Sequence, residues 1–165
     1  MVDAVFAGSF DPPTMGHQDI IQTASRMFRT LHVVIAVNPL KKSMFTQEER
    51  LAMIRAMVQD KSNVQVTVWE GLVTDYAHQH GCEVLVRGVR SAADLPYEAS
   101  MAGMNRRLDP DIVTVFFLCR PEHEDISSSL VRDILQHGRL PHGIVPPAVE
   151  EILHRCMESR GNPLS

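Results

Sequence analysis

Five short runs of apolar residues, at 2–8, 31–37, 64–69, 84–87 and 112–118, punctuate this 165-residue chain, and each is followed by a stretch with a helical pattern. Most of these runs are apolar at consecutive positions, so both of their faces must be covered, as in a parallel sheet flanked by helices. Parallel neighbours also need a crossover between them, and the intervening helical stretches supply it. The alternation therefore predicts an α/β chain whose five parallel strands carry helices on both faces. No repeat, low-complexity tract or linker interrupts the pattern, so a single domain spanning 1–165 is expected.

The helices have recognisable signatures. After Gly16, Ile20, Ile21, Ala24, Met27 and Phe28 form one apolar stripe. Thr46 and Glu49 make a capping box for a helix reaching about residue 58. Shorter helical stretches cover 72–80, closed by Gly81, and 127–137, closed by Gly138. A longer stretch covers 91–108, and Pro146 and Pro147 open the last helix. Loops after parallel strands gather at one rim, where such sheets bind ligands. That rim comprises 8–17, 38–45, 70–73, 87–98 and 119–129. The fold class implied is a single-domain, Rossmann-like, doubly wound sheet.

Charge and cysteine usage narrow the setting. With 16 basic and 20 acidic side chains, the formal charge of −4 offers no overall attraction to nucleic acid or to an anionic membrane. No run is long and apolar enough for a membrane span, and the first residues lack the basic segment of a signal peptide. Cys82, Cys119 and Cys156 are odd in number and far apart, which suits free, mostly buried thiols in a reducing compartment. No spacing suggests a zinc site, and no protein-held metal is expected.

Four pieces of the rim could carry chemistry. The first is Gly8-Ser9-Phe10-Asp11-Pro12-Pro13-Thr14-Met15-Gly16-His17, a strand-to-helix turn that offers backbone amides and an imidazole to an anion. Read alone, His17 could equally cap or pack. The second is Asn38-Pro39-Leu40-Lys41-Lys42, whose lysines could meet a phosphate or merely face solvent. The third, Arg87-Gly88-Val89-Arg90, is a compact anion clamp or a surface ion-pair site. The fourth, Ile126-Ser127-Ser128-Ser129-Leu130-Val131-Arg132, places three serines where capping needs one.

Together, in this order, these pieces resemble the nucleotidyltransferase superfamily, and the Thr14-x-Gly16-His17 form is similar to the phosphopantetheine adenylyltransferases. The match continues through Ala93-Asp94-x-x-Tyr97-Glu98 and Met104-Asn105-Arg106, whereas Glu122-His123-Glu124-Asp125 stands where the family usually has aromatics. The resemblance implies His17, Lys41 and Arg90 as catalytic residues. It implies ATP contacts from Ser9, Phe10, His17, Gly88, Val89, Arg90, Glu98 and the run His123, Glu124, Asp125, Ile126, Ser127, Ser128 and Ser129. Ser9, Lys41, Val73 and Arg87 would hold the acceptor, 4′-phosphopantetheine. It further implies Mg²⁺ bound through the ATP phosphates, feedback binding of coenzyme A, a homohexamer and a cytoplasmic setting.

The expected reaction is in-line attack of the acceptor phosphate on the α-phosphorus of ATP, with pyrophosphate leaving. A phosphate dianion needs no general base, so catalysis would be positioning and charge neutralisation. Two rival readings stand beside it. One is transfer to nicotinate mononucleotide or glycerol phosphate, although those branches usually have His at the position of Thr14. The other is a nucleotide-binding regulatory module without turnover.

Overall fold

The computed structural model describes residues 1–162 and 164. Strand β1 (Ala4–Gly8) lies at the middle of a parallel sheet with β2 (Leu31–Val37) and β3 (Val64–Glu70) on one side. On the other side lie β4 (Val84–Val89) and β5 (Val113–Leu118), giving the order β3-β2-β1-β4-β5. The chain thus steps outward from β1 to β3, returns across it, and steps outward again. That reversal opens a crevice beyond the carboxyl ends of β1 and β4.

Strand periodicity decides which face each apolar side chain covers. Ala4 and Phe6 of β1, with Leu31, Val33 and Ile35 of β2, join one core cluster. That cluster takes in Ile20, Ile21 and Ala24 of α1 (Met15–Met27) and Met53 and Ile54 of α2 (Gln47–Met57). It also takes in Val131 and Leu135 of α5 (Ser128–Gln136) and Val149 and Leu153 of α6 (Pro147–Ser159). Val5, Ala7, Val34 and Leu85 point the other way, against Tyr76 and Ala77 of α3 (Val73–Gln79). On the same face, α4 (Leu95–Leu108) lies beside β4. Both faces are therefore covered, as the apolar runs require, and the Thr46–Glu49 capping box forms.

Four expectations need correction. Strand β1 begins at Ala4 rather than residue 2, because the Asp3 carboxylate is taken by Arg29 and the Thr30 amide. Strand β4 continues two residues further, pairing Gly88 with Phe117 and Val89 with Leu118. Helix α4 starts at Leu95, not 91, because Asp94 bonds the Arg90 amide and guanidinium instead of capping a helix there. Finally, β5 is half exposed rather than buried, because it is the edge of the sheet. Val113 and Leu118 lie open on it, and Glu98 is the one buried residue of α4. The three cysteines are free, with Cys82 buried and the other two half-buried. No helix among the described residues is long and apolar enough to cross a membrane.

Candidate active site

The crevice holds a cavity of about 290 Å³, and the first loop forms one wall of it. Thr14 caps α1, and His17, three residues on, completes a capping box with it. The Thr14 N–H donates to His17 Nδ1 at 3.0 Å, so Nδ1 is an acceptor and the ring proton of neutral imidazole resides on Nε2. Burial, and secondarily the positive field of Arg90, push the His17 pKa down to about 4. At neutral pH this residue is therefore an uncharged N–H donor. Its ring is fixed by edge-on contacts with Phe10 and tilted contact with Phe6. Phe10 itself is buried with a φ of +46°, a left-handed conformation sustained by the packing of its ring.

The end of β4 forms the opposite wall. Arg87 makes a two-pronged pair with Glu98 of α4, at 2.6 and 2.9 Å, and Arg90 pairs with Asp94. Gly88 between them eases a close approach, since a Cβ there would lie 3.1 Å from the Ile20 side chain on the helix that carries His17. Gly8 has a similar role toward the Phe10 ring, at 3.2 Å, rather than toward a ligand.

The start of α5 closes the third side, but its hydroxyls are engaged within the protein. Ser127 caps the helix through the Leu130 amide, and Ser128 donates to the Pro12 carbonyl at 2.8 Å. Ser129 receives a bond from Arg132. What this turn can offer an anion is the amides of Ser128 and Ser129, which lie in the first turn and have no intrahelical acceptor, and the positive end of the helix.

Ser9, His17, Arg87, Gly88, Val89, Arg90, Glu98, Ile126, Ser127 and Ser128 thus share one cavity. The other expected residues do not line it. Phe10 is in the core, and Glu124, Asp125 and Ser129 face solvent. His123 is buried against Asp19. Lys41 is exposed on the loop after β2, with no ion pair among the described residues. Val73 lines a separate, smaller cavity of about 80 Å³ with Leu85, Met101 and Asn105, and Arg87 borders both cavities. Among the described residues no group of three or more His, Cys, Asp or Glu side chains could hold a metal ion.

Several supporting residues were not foreseen. The Asp11 carboxylate accepts the amides of Met44 and Phe45, both at 2.9 Å, and so ties the lysine loop to the first loop. Buried Arg50 donates to the Ser9 carbonyl at 2.9 Å, and Arg132 to the Asp11 carbonyl at 2.7 Å. Arg50 gives no sequence signal beyond being a charge on the inward side of a helix.

Comparison with known proteins gives a consistent picture. Residues 5–134 match the family described as cytidylyltransferase-like. A phosphopantetheine adenylyltransferase of Symbiobacterium thermophilum is 46% identical, covering 89% of this chain and 91% of its own. The protein of the same name from Lactobacillus johnsonii is 40% identical and covers 98% of both chains. In fold, the chain is similar to the crystal structure of a Vibrio parahaemolyticus protein assigned as a nicotinate-nucleotide adenylyltransferase. That match has a TM-score of 0.70 at 20% identity and covers 93% and 92% of the two chains.

Proposed function

Because the chain belongs to the phosphopantetheine adenylyltransferases, within the cytidylyltransferase-like family, we propose that it transfers the adenylyl group of ATP to 4′-phosphopantetheine. The products are dephospho-coenzyme A and pyrophosphate, a step in coenzyme A biosynthesis. The observation that carries this reading is the convergence of His17, Arg87, Arg90 and the α5 start on one cavity at the sheet's switch point.

In the mechanism we favour, an oxygen of the acceptor phosphate attacks the α-phosphorus. A new P–O bond forms there as the bond to the bridging oxygen of pyrophosphate breaks. His17 donates from Nε2 to an α-phosphate oxygen as negative charge gathers on it. Arg87 holds the attacking phosphate once Glu98 releases part of its grip on it, and Lys41 joins it by reaching in from its exposed loop. Arg90 and the amides of Ser128 and Ser129 face the departing pyrophosphate. Ser9, Gly88, Val89, Glu98 and the turn from Ile126 to Ser128 border the nucleotide in this reading, whereas Phe10 and His123 support that wall from the interior. The small cavity beside Val73 is mainly apolar and adjoins Arg87, which suits the pantetheine arm behind its phosphate.

Magnesium would be carried by the triphosphate, since the cavity's carboxylate, Glu98, is occupied by Arg87. When bound, it neutralises charge on the phosphates. Coenzyme A contains the groups of both substrates and would compete for the same crevice. The exposed apolar residues of α4 and β5, among them Leu95, Met104, Val113 and Leu118, suit burial between copies in a homohexamer in the cytoplasm.

The test is an acceptor panel assayed by pyrophosphate release. Turnover is expected with ATP and 4′-phosphopantetheine, and neither with CTP nor with nicotinate mononucleotide. Turnover on nicotinate mononucleotide with none on 4′-phosphopantetheine would overturn the assignment. Sedimentation of the same preparation should give the mass of six chains, and a stable monomer would remove the hexamer.

A further inference from the structure

The 120–126 connection between β5 and α5 is mostly in solvent: Arg120, Pro121, Glu122, Glu124 and Asp125 are exposed. His123 is its single buried residue. There its Nδ1 is hydrogen-bonded to Asp19 Oδ2, on a helix 104 positions away in sequence. Asp19 is as buried as His123, lies two residues beyond His17 on α1, and has Arg120 Nε 3.6 Å from its other oxygen.

The same residue anchors the backbone of the α5 start. The His123 carbonyl accepts the Ile126 N–H at 3.1 Å, and Ile126, Ser127 and Ser128 line the cavity. The far flank of this turn is tied by Ser128 to Pro12 and by Arg132 to the Asp11 carbonyl. The near flank is held by the buried imidazole, with the exposed Arg120 as a longer, solvent-facing contact to the same carboxylate. Pointing His123 inward also keeps its neighbours Glu122, Glu124 and Asp125 outward, away from a bound polyphosphate.

We infer that His123 is a positioning residue, whose bond to Asp19 locks the α5 start over the cavity and so sets the affinity for the triphosphate without touching it. The identity of that ligand rests on the adenylyl-transfer reading. A turn already ordered costs less to bind against, so loss of the anchor weakens ATP binding. The turn's amides meet the β- and γ-phosphates in the ground state as well as in the transition state, so the effect falls on KM for ATP rather than on kcat.

The experiment compares His123→Leu, His123→Asn and Asp19→Asn with the wild type. It reads ATP–magnesium binding by calorimetry and pyrophosphate release at varied ATP and varied 4′-phosphopantetheine. For His123→Leu we expect ATP affinity to fall about tenfold, the size of one lost charge-assisted hydrogen bond, with kcat within about twofold and KM for the acceptor unmoved. His123→Asn, whose side-chain NH₂ can donate from near the Nδ1 position, recovers most of the loss. Unchanged ATP affinity in folded His123→Leu, or no recovery in His123→Asn, overturns the inference. If His123→Leu fails to fold, Asp19→Asn decides on the same readouts, because it preserves shape while weakening the bond. A wild type that binds ATP but releases no pyrophosphate with any acceptor sinks the transfer reading instead, and the affinity comparison still judges His123.

Discussion

Replacing His17 by alanine is expected to leave a folded protein that binds ATP, while turnover falls by roughly 10²–10³-fold, the usual cost of one transition-state donor. The expectation rests on geometry. Thr14 holds Nδ1, the two phenylalanine rings hold the plane, and the Nε2 proton is directed at the cavity by elimination. Single-turnover pyrophosphate release measures the loss, and near-normal turnover would remove His17 from the chemistry. The same environment leaves a second signature. The folded His17 pKa is about 4, against an ordinary value of 6.5, so the unfolded chain binds an extra proton between those limits. The His17 contribution to stability is therefore lost as pH drops from about 6.5 to about 4. Substituting His17→Asn removes that linkage, and its melting temperature should vary less steeply with pH than the wild type's. An equal slope would contradict the neutral imidazole.

Substituting Arg87→Ala is expected to raise KM for the acceptor by about 100-fold or more, with a smaller effect on ATP binding. Two effects add. The acceptor phosphate loses a two-pronged cationic partner, and the nearly buried Glu98 carboxylate, until then neutralised at 2.6 and 2.9 Å, is left facing the incoming dianion. Adding Glu98→Gln to Arg87→Ala removes the second effect and should recover part of the loss. Glu98→Gln alone frees the guanidinium and should not weaken the acceptor. Steady-state kinetics over the four proteins measures the coupling. If the double variant is no better than Arg87→Ala, the carboxylate does not oppose the acceptor.

The comparison of these two sites explains how far the sequence could be read. Apolar strands and capped helices are local patterns, so the four crossovers and the rim could be placed along the chain to within a few residues. That placement brought His17, Arg87, Gly88, Arg90 and Ser127 into one region before their contacts were known. The exposure of β5 was not legible, because its residues look buried and only its position at the sheet edge leaves them open. The serine run shows the same limit. Its composition suggests hydroxyl ligands, but neighbours from other elements engage those hydroxyls and leave the amides.

What the chain determined by itself was the set of elements and the loops that end at one edge, since hydrophobic periodicity and turn chemistry act over a few residues. Only the folded molecule decided which of those loops face one another. Asp11 fixes amides 33 and 34 positions away, Arg132 reaches back 121 positions, and His123 meets Asp19 across 104. Such pairings depend on strand order and on the depth at which helices pack. The charge state of His17, the partner of Arg87 and the anchor of the α5 turn all follow from that packing.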